Sequence, residues 1–227
     1  LSNSIIFAFR PAMIKAYSGD NHNYLEKLFS INNRILLNLL ICITVPLLLE
    51  TKSILSLWLG DITEDMVIFT QLYIIYEIIF TIHNPITIII QATGKVRLYS
   101  IIVESLTILC LPISWVLFKM GFSATYLFYT MIGICFIAHI ARLIVLKSIY
   151  QEFNLSNYAL KDFLPAVLTF SVTYACISSF HLHIHNVILR LPIVCITSII
   201  LTMLLAYFIN SSHEERQFIN KYIIRQR

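Results

Sequence analysis

Charge is scarce in this chain. Asp, Glu, Lys and Arg make up only 12% of its 227 residues, where a soluble globular domain carries about 25%. Glycine is scarcer still. There are five, four of them (Gly19, Gly60, Gly94, Gly121) between apolar runs and only Gly133 within one, which excludes a glycine-rich phosphate loop. The five cysteines, Cys42, Cys110, Cys135, Cys176 and Cys195, all fall inside apolar runs. Buried there they act as small hydrophobes, and no disulfide framework is expected. No Gly-x-Ser-x-Gly elbow and no His-Glu-x-x-His pair occurs, and the aspartates sit in loops without forming a paired cluster. These gaps argue against an enzyme and leave no cofactor or metal to expect. The net charge is +4 with its basic residues dispersed, so nucleic acid is not an expected partner.

What the chain does have is long apolar runs. Hydrophobic residues reach 58%, and mean hydropathy is +0.81. Runs near 35–49, 66–90, 98–118, 122–146, 163–182 and 187–209 approach or exceed the length that crosses a hydrocarbon core of roughly 30 Å. The expected fold class is therefore all-α integral membrane, with six transmembrane helices plus the end of a preceding one at 1–16. The bundle would occupy 35–209. Residues 17–34 read as a cytoplasmic loop, with a turn at Gly19-Asp20-Asn21 and then a short helix through Leu25, Leu28 and Phe29; 53–59 reads as an interfacial stretch and 147–162 as a second long loop. Residues 210–227 read as a cytoplasmic amphipathic tail, with Phe218, Tyr222, Ile223 and Ile224 at helical spacing. The chain opens on Leu1 without a basic leader, so it reads as a piece of a larger protein.

Orientation follows from the basic residues. With the first loop inside, thirteen of the sixteen Lys and Arg face the cytoplasm, leaving Lys52, Lys119 and Arg190 outside. Trp58 and Trp115 both fall near the outer interface, where aromatic belts sit. Arg142 and His139, near the inner end of the fourth span, are expected to snorkel toward headgroups. His181, His183 and His185 form a polar turn at the outer end of the fifth; without acids or thiols nearby it is a poor metal site.

The informative stretch is 66–97. Glu77 lies near its centre, and Thr70, Glu77, Asn84 and Gln91 recur every seven residues, on one helical face. The next run repeats the pattern with Ser100, Glu104, Thr107 and Ser114. A carboxylate at the bilayer centre costs on the order of 3 kcal/mol. Glu77 and Glu104, with Asn84 and Gln91, are therefore expected to line a hydrated cavity and to hold the coupling ion, H+ or Na+. The rival explanation is plain helix–helix hydrogen bonding. His83-Asn84-Pro85 places a proline inside the span, expected to kink it. Gly94-Lys95 reads as a helix end, glycine supplying the left-handed residue and lysine the complementary charge.

Several short motifs occur in a telling order. Arg10-Pro11-Ala12-Met13-Ile14-Lys15 precedes Tyr17-Ser18-Gly19-Asp20, then come Pro46 and Ile54-Leu55 with Leu57-Trp58-Leu59-Gly60, then Asn84-Pro85 and Gln91-Ala92-Thr93-Gly94-Lys95. Over 10–147 this order resembles the bacterial polysaccharide exporters, the O-antigen and capsule flippases of the multidrug/oligosaccharidyl-lipid/polysaccharide superfamily. The resemblance implies half of a MATE-like two-bundle transporter, the other bundle being the N-terminal half of the same protein. It implies alternating access, a lipid-linked oligosaccharide (a polyprenyl-pyrophosphate oligosaccharide) as substrate, membrane lipid as surroundings and the bacterial inner membrane as location. Arg10, Arg34 and Lys95 would then attract the pyrophosphate at the inner face. The alternatives are a multidrug antiporter of the same superfamily, a membrane-embedded polymerase or acyltransferase, and a non-transporting scaffold.

The orientation is testable in a variant freed of its five cysteines. A single cysteine at Lys119 should react with an impermeant maleimide in intact cells, and one at Lys95 only after permeabilisation. The reverse labelling pattern would overturn the topology.

Overall fold

The computed structural model describes residues 2–184 and 186–210. Among these the chain is all helical, without strands. The first helix is α1 (Ser2–Ser18), followed by α2 (His22–Leu49), the short α3 (Thr51–Leu59), α4 (Glu64–Ile82) and α5 (Asn84–Ala92). Next come α6 (Val96–Ile108), α7 (Cys110–Lys119), α8 (Thr125–Ile149) and the single turn α9 (Leu155–Asn157). A π-helical turn (Tyr158–Phe163) leads into α10 (Leu164–His181), and α11 (Val187–Leu205) ends in a second π turn (Ala206–Asn210). Six stretches are long and apolar enough to cross a membrane: α2, α4–α5, α6–α7, α8, α9–α10 and α11 with its π turn. The amphipathic tail expected at 210–227 lies, beyond Asn210, outside the described residues.

Capping chemistry sets the ends. Asn21 accepts a hydrogen bond from the Tyr24 amide at 3.2 Å to start α2, and Asn186 from the Ile188 amide at 3.1 Å to start α11. Thr63 caps α4, whose first turn holds Glu64 and Asp65 against the positive end of the helix dipole. Gly94 ends the α4–α5 span at φ 72°, as a left-handed residue should.

Proline explains the interruptions inside two spans. Pro85 has no N–H for the Thr81 carbonyl, and the helix breaks at His83; Pro112 has none for the Ile108 carbonyl, and the next span breaks at Leu109. One boundary differs sharply from expectation. The polar stretch at 17–34 is not a loop: α2 starts at His22 rather than near residue 35, leaving only a tight turn through Gly19 and Asp20. Leu25, Leu28 and Phe29 already form a buried helical stripe that Asn32 and Leu36 continue, so the packing face extends below the apolar run. The stretch 147–162 is likewise mostly helical, shared between α8, α9 and the π turn.

The bundle is organised around α2, which packs on α1, α4, α10 and α11. One face gives Leu25, Leu28, Phe29 and Leu36 to a core shared with α1, α5, α6 and α8. The adjoining face gives Leu37, Ile41 and Val45 to a second core with α10 and α11. Lipid tails are as apolar as leucine, so close packing and polar contacts hold such helices together. Ala166, Thr169 and Thr173 on α10 and Ser198 and Thr202 on α11 are all buried, which lets the backbones approach. Ser198 also donates to the Cys42 carbonyl of α2 at 3.4 Å.

Two ion pairs fasten α2 to this C-terminal pair at opposite ends. At the C-terminal end of α2 Arg190 donates from Nη2 to Glu50 Oε2 at 2.9 Å and to Ser53 Oγ at 2.7 Å. Its Nε lies 2.7 Å from Glu50 Oε1, a charge contact without hydrogen-bond geometry. In the N-terminal half of α2, Arg34 Nε donates to Asp162 Oδ1 at 3.0 Å and Ser30 to Oδ2 at 2.8 Å. Glu50 and Asp162 are each 1% exposed, so neither carboxylate is compensated by water.

Removing one member of such a pair strands the other. Arg190→Met should cost about 3–5 kcal/mol, read as a lower detergent-solubilised Tm, and adding Glu50→Gln should restore most of it. An unchanged Tm in the single variant would mean that the pair contributes nothing.

Candidate functional site

The break at His83 places polar atoms beside α6 and α8. Thr87, one turn into α5, donates its hydroxyl to the His83 carbonyl at 3.2 Å and lies 3.2 Å from the Tyr99 hydroxyl of α6. Arg142 Nε on α8 donates to that same Tyr99 oxygen at 3.4 Å. A guanidinium can only donate, so the chain has one direction: Arg142 to Tyr99, Tyr99 to Thr87, Thr87 to the His83 carbonyl. His139, one turn before Arg142, sits 3.4 Å from the Tyr158 hydroxyl of the π turn. His83, His139 and Arg142 are all buried. Arg142 therefore does not snorkel. It lies on the α8 face of Ala138, Val145 and Leu146, inside the first core.

The two membrane acids part company. Glu77 is half-buried on α4, beside the Tyr73 phenol and near Cys135 of α8. Glu104 is exposed on α6. The expectation that they share one sheltered interior is corrected within this chain, because α8 packs against both α4 and α6 and separates them. The cause is helical phase. Val103 is fully buried against the core, and Glu104, turned about 100° further round the helix, points away. It shares an exposed stripe with Arg97, Ile101, Ile108 and Leu111.

Of the other expected positions, Arg10 and Gln91 come together, Nη2 donating to Oε1 at 2.9 Å between α1 and α5. Arg34 is engaged by Asp162. Asn84 is half-buried at the start of α5, and Lys95 is exposed in the turn after Gly94. His181 closes α10, its Nδ1 donating to the Ser178 carbonyl at 3.0 Å, His183 is exposed, and His185 lies outside the described residues. Sequence reasoning missed the pairing of Glu50 with Arg190 and of Asp162 with Arg34. The one available signal for Arg142 was its spacing from Cys135 and His139, which puts all three on one face.

Between α2, α4 and α10 a groove of about 540 Å³ is lined by Ile41, Ile78, Ala166 and Phe170 among other apolar groups. Its amide group, Gln71, already donates to the Leu48 carbonyl at 3.1 Å. At the turn between α1 and α2 His22 lies 2.9 Å from both Asp20 and Glu152, and 2.8 Å from the Tyr150 hydroxyl. Burial pushes the Tyr150 phenol up to about 12, with Glu152 and Glu26 adding to the shift.

Comparison with family models, with curated proteins and with solved structures finds no match to this chain.

Folded Tyr150 keeps its proton up to about pH 12, whereas the unfolded chain releases it near its ordinary value of 10.0. Its contribution is complete below that lower value and is lost as pH rises toward the upper one. Tm should fall across this window, and Tyr150→Phe should shrink the fall; an equal fall in both proteins removes Tyr150 as its source.

Proposed function

We propose that this chain is the later part of a transporter, not an enzyme, that flips a polyprenyl-pyrophosphate-linked oligosaccharide from the inner to the outer leaflet of the bacterial cytoplasmic membrane. The observation that supports this reading is the span interrupted at His83, with buried His83, Tyr99 of α6 and His139 and Arg142 of α8, and half-buried Thr87 of α5, gathered at the break. Interrupted helices that expose backbone and polar groups at membrane depth are a recurrent basis of transporter sites. A scaffold needs no such site.

The substrate class comes from the order of the short motifs, and the inner-face groups fit an anionic headgroup. Lys95 is exposed there, and Arg10 is held by Gln91 near the same end. Alternating access requires a second bundle facing this one, supplied by the N-terminal half of the same protein. The exposed stripe carrying Glu104 is where we place that bundle. Glu77, half-buried beside α8, is the coupling carboxylate in this scheme. Loading it with H+ or Na+ biases the inward- against the outward-open state by differential affinity.

In the full-length protein, Glu77→Gln should stop export while leaving its abundance unchanged. Lipid-linked oligosaccharide should then accumulate on the inner leaflet, as it should when the gene is deleted. Wild-type export by the variant would dismiss the coupling role, and no accumulation on deletion would dismiss the substrate.

A further inference from the structure

Arg142 carries a positive charge into the bundle with no described carboxylate close enough to pair with it. Its side chain belongs to a residue 4% exposed, and Nη1 has no hydrogen-bond partner. A guanidinium does not release its proton in a protein, so the charge cannot be escaped by neutralisation. Leaving such a charge uncompensated is strongly unfavourable. Two further nitrogens nearby are also unpartnered: Nδ1 of His139 and Nδ1 of His83. The three groups feel one another's charge, His83 sensing both Arg142 and His139. When Tyr158 donates to Nε2 of His139, the proton of the neutral ring sits on Nδ1, making it a donor. The site thus offers unused donors and a fixed positive charge, and among the described residues no carboxylate within ion-pairing distance.

We propose that Arg142, His139 and His83 bind one small inorganic anion of the halide class inside the bundle. A water molecule would satisfy the hydrogen bonds but leave the charge bare. Glu77 does not fill the role, since no ion pair joins it to Arg142. The size follows from the walls. Tyr99, Val103, Ala138, Val145 and Tyr158 are all buried in the same core, and such packing favours a single spherical ion, which accepts from any direction, over a larger oxyanion. The site rests on burial and charge within this chain and goes beyond the transport reading. Failure of either leaves the other standing.

The test is the melting temperature of the purified full-length protein in sodium chloride, sodium bromide and sodium gluconate at matched ionic strength. Chloride and bromide should raise Tm saturably and gluconate should not; at about 100 times Kd the folding equilibrium shifts roughly 100-fold toward the native state. Arg142→Gln should lose the halide response and melt above wild type in gluconate, where the wild-type charge is uncompensated. His139→Gln, which keeps a donor, should retain a weakened response and guards against a misfolded Arg142 variant. Equal wild-type melting in all three salts overturns the proposal, as does an undiminished halide response in Arg142→Gln.

Discussion

Hydrocarbon gives a polar group nothing to bond to, and this constraint shapes the whole molecule. It makes every span helical, because only a helix satisfies its own backbone. It also decides where charge can sit. Glu50 finds Arg190, Asp162 finds Arg34 and Ser30, and the Tyr99 hydroxyl links Arg142 to the broken turn at His83. Each polar contact ties two helices that apolar packing alone would leave free to slide, since lipid competes equally for their leucines.

From these contacts the bundle divides into two packed groups that share α2. The C-terminal pair, α10 and α11, approaches α2 through small side chains and is fastened near both membrane faces by ion pairs. The other group, α1, α5, α6 and α8, surrounds the buried polar residues. An apolar groove runs where α2, α4 and α10 meet. A division of this kind, with polar residues on one side and a rigidly fastened pair on the other, is compatible with the rocking motion that the proposed transport requires.

The polar stripes looked equivalent in sequence, yet packing treated them differently. Glu77 and Glu104 recur on successive spans with similar flanking Thr, Ser and Asn residues. A third helix, α8, packs on both of those spans, and the face of Tyr99 and Val103 goes to the core it shares with α5, which turns Glu104 outward. Nothing local to either stripe encodes that packing. It depends on the shape of α8, whose buried face mixes Cys135, Ala138 and Val145 with His139 and Arg142.

The amino-acid sequence by itself determined that this is an all-α membrane protein of six spans, because length and hydropathy are properties of a single segment. It determined the break at Pro85 and the helix end at Gly94 for the same reason: a missing N–H and a left-handed φ act within one turn. Only the tertiary structure decided which charges meet. Arg34 and Asp162 are 128 residues apart, and Glu50 and Arg190 are 140 apart. A charge near a span end looks the same in sequence whether it reaches water or turns inward. Helix packing chooses between these, and packing is a property of faces that belong to different segments.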